Sequence, residues 1–275
     1  MTFVVSMIGW FAGSAQAQEL ALPALSPAAQ VMQHVGLVDL TVTYSSPGKR
    51  GRTIWGELVP YGEVWRTGAN AATAFETTGD VTIGGTLVPA GKYAVFTIPG
   101  KDEWTLILNK GAEQWGAFEY DKTLDVVQVK VAPTAGPDRE RMTFLFSDTD
   151  EDSTSLDLEW AGVHVSLPIA VETAGQVTKN IDTFVEDTRD GLATAARYKL
   201  EHEDYAGALK LIDTSLAVGT TWYNTWLKAD ILHHQDQHKA AYKLATEALA
   251  LGTAAGDDFF WKDRVVKAVA EWKKK

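Results

Sequence analysis

The chain has no cysteine in its 275 residues. That excludes disulfides, thiolate nucleophiles and cysteine-ligated zinc. Positive charge is in deficit: 25 Lys and Arg stand against 36 Asp and Glu, for a net charge of −11. So acidic a chain is repelled by phosphate backbones and by anionic lipid, which argues against nucleic-acid and membrane-surface roles. Long apolar runs are also lacking. The N-terminal run from Phe3 to Ala12 is shorter than the roughly 20 residues needed to span a bilayer, and no other segment comes closer. The usual catalytic signatures are absent as well: there is no Gly-x-Ser-x-Gly elbow and no His-Glu-x-x-His. The basic stretch Ser46-Pro47-Gly48-Lys49-Arg50-Gly51-Arg52 lacks the glycine-lysine spacing of a phosphate-binding loop and reads as a solvated turn.

The short apolar run has a use of its own. Residues 1–17 carry no charge, and Phe3 to Ala12 precede Ala15-Gln16-Ala17, the small-x-small pattern read by signal peptidase. Residues 1–17 are therefore expected to be a signal peptide cut after Ala17, giving a periplasmic or secreted protein. The missing positive n-region is consistent with a translation start upstream of Met1. Freedom from cysteine suits an oxidising compartment. Residues 18–35 read as an N-terminal linker.

Two periodicities divide the rest. From residue 36 to 170 apolar residues recur at every second position, as in Val38-Leu40-Val42-Tyr44, Trp104-Leu106-Leu108, Val127-Val129-Val131, Met142-Phe144-Phe146, Leu156-Leu158-Trp160 and Val163-Val165-Leu167. Short strands with one buried face, separated by turns such as Gly84-Gly85 and Ala90-Gly91, predict an antiparallel β-sandwich. Beyond Pro168 helical spacing takes over. His202–Gly219 aligns with Gln235–Gly252 at an offset of 33, with Ala208/Ala241, Leu211/Leu244 and Gly219/Gly252 identical. A helix-pair repeat of this length, with small residues at the crossings, looks like tetratricopeptide repeats. The expected layout is α+β in two domains: the sandwich, a connecting helix over 171–190, and a tetratricopeptide-like helical domain over 191–275. A last helix is expected over Asp257–Lys274, with a Trp261, Val265, Ala268, Trp272 stripe.

The loop Ser45–Asn70 carries the candidate ligand site: Tyr44, Arg52, Trp65, Arg66, Thr67 and Asn70. An arginine among small, turn-forming residues holds a fork of donors in fixed geometry, suited to a carboxylate, phosphate or sugar. Asn70 adds a donor and an acceptor, and the aromatics add flat apolar walls. The competing account has Arg66 and Asn70 fastening a long loop through backbone carbonyls. Glu57, Glu63 and Glu76 could supply the paired carboxylates of a hydrolase or transferase. The run Asp148–Ser153 with Glu159 mimics a calcium loop, but Ser153 stands where the sharp turn needs glycine, so a hairpin turn is expected. His233, His234 and His238 flank a predicted inter-helix turn and read as exposed residues rather than metal ligands, and His164 reads as a solvent-facing strand residue. No metal and no cofactor is called for.

The blocks Gly51-Arg52, Leu58-Val59-Pro60-Tyr61-Gly62 and Val64-Trp65-Arg66-Thr67-Gly68-Ala69-Asn70, followed by VTIGGTLVPAGKYAVFTIPG, resemble the bacterial domain of unknown function 2911 family. The likeness extends over nearly all of the chain after residue 17, including Ala195-Ala196-Arg197-Tyr198. It implies export from a bacterial cell and brings no catalytic residue with it. The expected function is non-enzymatic binding of a small polar ligand, glycan or peptide at the loop, with protein contacts through the helical tail. A loop-carboxylate enzyme and a purely structural envelope protein are the alternatives. An open cleft holding Arg66 with unpaired donors would favour binding, glutamates paired in that cleft an enzyme, and a fully satisfied Arg66 a structural role.

Overall fold

The computed structural model describes residues 22–273, so the expected signal peptide and its cleavage point lie outside the described residues. The chain divides into two compact units at Thr173/Ala174. The first is built of antiparallel sheets and the second of helices, the α+β layout read from the sequence.

In the β unit, alternation of apolar and polar residues sets which face of each strand is buried. The first hairpin pairs β1 (Ala28–Val35) with β2 (Val38–Ser45). On β2, Val38, Leu40, Val42 and Tyr44 are buried while Asp39, Thr41 and Thr43 face outward. The linker expected over residues 18–35 is thereby corrected at its C-terminal end. The alternation already present in Val31, Gln33 and Val35 is used in pairing with β2.

The remaining strands are β3 (Thr73–Thr77), β4 (Val81–Ile83), β5 (Thr86–Val88), β6 (Gly91–Ile98), β7 (Trp104–Asn109), β8 (Asp125–Val131), β9 (Thr134–Ala135), β10 (Thr143–Ser147), β11 (Ser153–Trp160) and β12 (Val163–Val171). One sheet runs β1-β2-β3-β6-β7-β8, and the other β10-β11-β12-β4-β5 with β9 beside β12. The β4–β5 turn needs glycine at both central positions, with φ of 57° at Gly84 and 77° at Gly85, the conformation of a tight hairpin whose twist matches its strands. The core between the sheets includes Leu40, Phe75, Ile83, Met142, Trp160 and Ile169.

The acidic run at 148–153 is the turn between β10 and β11. There Asp150 Oδ1 accepts from the backbone N–H of Asp152 and Ser153 and from Ser153 Oγ. These donors hold the Asp150 carboxyl below its ordinary pKa. Glu159 instead pairs with Arg139 at 2.5 Å. His164 is more enclosed than its alternation suggests: Nε2 lies 3.3 Å from Oδ1 of the buried Asp157, and Nδ1 3.1 Å from Thr134 Oγ1.

The helical unit contains α1 (Thr173–Glu201), α2 (Tyr205–Val218), α3 (Trp222–His234), α4 (His238–Ala255) and α5 (Lys262–Trp272). The repeat offset of 33 maps the start of α2 onto the start of α4. Asp204 caps α2 by accepting from Gly207 N, and Thr221 with Asn224 forms a reciprocal capping box on α3, so orphan N–H groups of the first turn are satisfied. The expected boundary at residue 190 is corrected, because α1 is one unbroken helix through it and buries Ala193 and Ala196 only in its second half. The last helix starts at Lys262 rather than Asp257. Asp257 and Asp258 occupy a short 3-10 turn, while Val265, Ala268 and Trp272 form the expected buried stripe. Gln235–Gln237 is the expected turn. His234 is exposed, but His233 stacks on Trp272 at 4.1 Å and is half-buried, as is His238.

Candidate functional site

The connection from β2 to β3 is long, and it is tied back to the sheets by its own backbone. Trp65 exchanges both backbone bonds with Thr97 of β6, at 2.8 and 2.9 Å, and Thr73 N donates to Arg66 O at 3.1 Å. Between these anchors Thr67 adopts a φ of 50°, a conformation that a β-branched residue keeps only when its surroundings enforce it. Here they do. Thr67 is buried, its hydroxyl lies 3.2 Å from Thr97 Oγ1, and its carbonyl accepts from Thr73 Oγ1 at 2.7 Å. The kink at Thr67 fixes where the neighbouring Arg66 points.

Arg66 lines a cleft of about 560 Å³ together with Arg50, Arg52, Trp65, Asn70 and Trp160, and with Leu25 and Ser26 from the segment before β1. Among the described residues no acid lines it. Arg52 is held by carbonyls, Nε donating to Lys49 O at 3.0 Å and Nη2 to Gly48 O at 2.7 Å. Arg50 Nη2 likewise donates to Leu25 O. Arg66 differs from both. Its Nε is buried without a hydrogen bond, and among the described residues its guanidinium has neither a hydrogen-bond nor an ion-pair partner. Desolvation by burial lowers its pKa from the ordinary value, though a guanidinium remains charged at neutral pH. An unsatisfied buried N–H costs about 1–3 kcal/mol.

The walls of the cleft are aromatic. Trp65 and Trp160 stack at 6.1 Å, and Trp55 meets Trp65, Trp104 and Trp160 edge-on at 5.9, 4.9 and 5.7 Å. Trp65 Nε1 donates to Gly68 O and Trp160 Nε1 to Glu140 O, each at 3.2 Å. These two indoles thus spend their only donors on the backbone and offer the cleft nothing but ring surface.

Four of the six expected site residues, Arg52, Trp65, Arg66 and Asn70, come together in this cleft. Asn70 is partly engaged, its Nδ2 donating to Ser45 Oγ at 3.2 Å and Ser26 O at 3.4 Å. Tyr44 and Thr67 do not line the cleft. Tyr44 lies on the buried face of β2, where its hydroxyl accepts from Phe144 N at 3.2 Å. Thr67 is the hinge just described. Glu57, Glu63 and Glu76 are exposed and none lines the cleft, so the proposed carboxylate pair is not assembled there. Sequence reasoning missed Trp160 as a wall and took Arg50 for part of a solvated turn. Their convergence depends on β11 and the segment before β1 meeting the loop in space.

The family described as protein of unknown function (DUF2911) matches residues 26–169, which is more than half of the chain and nearly all of its β unit. This chain belongs to that family. The match stops at the end of β12, so the likeness expected over nearly the whole chain holds for the β unit. Neither a curated protein nor a solved structure matches the chain.

Proposed function

We propose that this is an exported cell-envelope protein whose β unit binds a small polar ligand, such as a glycan or short peptide, at the Arg66 cleft. The observation that carries the reading is a guanidinium without a partner among the described residues, in an open, tryptophan-walled cleft. Of the outcomes set out from the sequence, that is the one favouring binding over catalysis or structure. Small sites commonly join an apolar wall to a few placed polar groups. The cleft has this composition, with Arg66 as the free polar group and Trp65 and Trp160 as walls.

Arg66→Ala tests the reading. Because the Arg66 guanidinium makes no hydrogen bond to the described residues, its removal should leave the melting temperature within a few degrees of wild type. Whatever ligand the native protein retains, detected by mass spectrometry after denaturation, should be lost. A large fall in melting temperature with no ligand ever recovered would instead mark the arginine as a fastener of the loop.

We propose further that the helical unit is tetratricopeptide-like and docks a protein partner. The 33-residue offset between α2 and α4 supports the repeat. The exposed Val177, Ile181 and Phe184 along α1 supply apolar surface of the kind interfaces use. Export is supported by the N-terminal sequence, and intact-mass measurement of periplasmic material should give a chain beginning at Gln18. Recovery of the uncleaved chain in the cytoplasm would rule export out.

A further inference from the structure

We infer that the ligand of the Arg66 cleft is an oxyanion, a carboxylate or phosphate, attached to a flat or apolar body. The inference rests on the reading of the cleft as a binding site and names the chemistry that site selects. The first argument is charge. In a chain of net charge −11, this cleft is lined by Arg50, Arg52 and Arg66 and, among the described residues, by no acid. Its local field is therefore opposite in sign to the protein's net charge and favours an anion.

Division of labour among the arginines is the second. Arg50 and Arg52 give donors to Leu25 O, Lys49 O and Gly48 O and act as fixed charges, while Arg66 keeps its fork free. With Nε buried, the two Nη groups are left to meet a guest, and their paired N–H bonds match the two oxygens of a carboxylate or phosphate, an arrangement a neutral hydroxyl cannot equal. Its partial burial raises the strength of such a contact, because less water competes for it. The third argument concerns the walls. Trp65 and Trp160 have committed their N–H groups to Gly68 O and Glu140 O, and Leu25, Leu58 and Val59 complete an apolar lining. A purely polar guest would leave those surfaces unused. A ring or short apolar body lying on the half-buried Trp65 and the aliphatic lining beside it, with its oxyanion on Arg66, uses both.

The test uses the full mature chain and four probes: benzoate, phenyl phosphate, and the neutral benzamide and benzyl alcohol. Binding is followed by tryptophan fluorescence, since Trp65 and Trp160 line the cleft, and by calorimetry. At least one anionic probe should bind, while the neutral pair binds about 10- to 100-fold more weakly, the range expected for one charge-assisted contact. Whichever anion binds tighter identifies carboxylate or phosphate as the natural headgroup. Affinity should fall with added salt, and Arg66→Gln should reduce it to that of the neutral probes. Arg66→Lys should recover only part of it, because an ammonium lacks the fork. Melting curves of both variants verify that the fold is retained.

Equal binding of benzamide and benzoate, or unchanged benzoate binding in Arg66→Gln, would overturn the oxyanion assignment while leaving the cleft as a binding site. Failure of both anions to bind at millimolar concentration would also overturn it. If, in addition, no retained ligand is found and Arg66→Ala unfolds the protein, the binding reading falls as well.

Discussion

Truncating Trp160 to alanine is expected to lower the stability of the β unit by about 3–5 kcal/mol, the range for removing a large aromatic from a packed core. Trp160 is 1% exposed, sits at the end of β11, and touches both Trp55 and Trp65. Its removal opens a cavity beneath the loop and also takes one of two donors from the Glu140 carbonyl, which keeps the N–H of Lys49 at 2.7 Å. At about 2–4 °C per kcal/mol for a unit of this size, the melting temperature should drop by roughly 6–20 °C. Trp160→Phe separates the two contributions. It keeps most of the ring but no donor, and should cost about 1–2 kcal/mol. Thermal melts of the three proteins check this. Near-equal stability of Trp160→Ala and wild type would mean that the cluster of indoles is not packed as described. Because Trp160 stacks on Trp65 and holds it in place, the alanine variant should also lose affinity for any guest that lies on Trp65.

A second large effect is expected in the helical unit. Trp226 is 1% exposed on α3 and stacks on Trp272 of α5 at 5.5 Å with an interplanar angle of 11°. Arg264 lies over its ring at 5.6 Å and pairs with the buried Asp230 at 2.8 Å. Trp226→Ala removes the surface that joins α3 to α5, and should cost about 3–5 kcal/mol. The far-UV helical signal should then be lost at lower temperature. The Nε1 of Trp226 has no hydrogen-bond partner among the described residues, so Trp226→Phe forfeits packing alone and should cost markedly less than alanine. A phenylalanine variant as damaged as the alanine one would show that the indole N–H is in fact paired.

Much of the architecture was legible because it follows from local chemistry. Strict alternation in Val38-Leu40-Val42-Tyr44 can be satisfied only by a strand with one buried face, and β2 buries those four residues. The same alternation should have removed Tyr44 from the candidate site, since it shares the face of three core residues. The helix pair was legible from the repeat, and α3, Trp222–His234, fills the interval between its two copies. Boundaries were less legible. A linker was expected where β1 forms, because strand propensity in Ala28–Val35 is weak until β2 supplies its partner. A domain boundary was expected at residue 190, between a connecting helix and the helical domain, inside what is one helix.

For the candidate site, sequence alone determined which loop carries the chemistry. Arg52, Trp65, Arg66 and Asn70 are neighbours in the chain, so their proximity needs only that the loop fold back on the sheet. Tertiary structure decided the state of Arg66. Whether a guanidinium is satisfied depends on which carbonyls and carboxylates reach it from distant segments, and no spacing within Ser45–Asn70 encodes that. The same holds for Trp160, more than ninety positions along the chain from Arg66, and for Leu25 and Ser26, which reach the cleft through the pairing of β1 with β2. Local patterns fix strands, helices and turns because their energetics act between near neighbours. A cleft is a property of surfaces that meet only after those elements have packed.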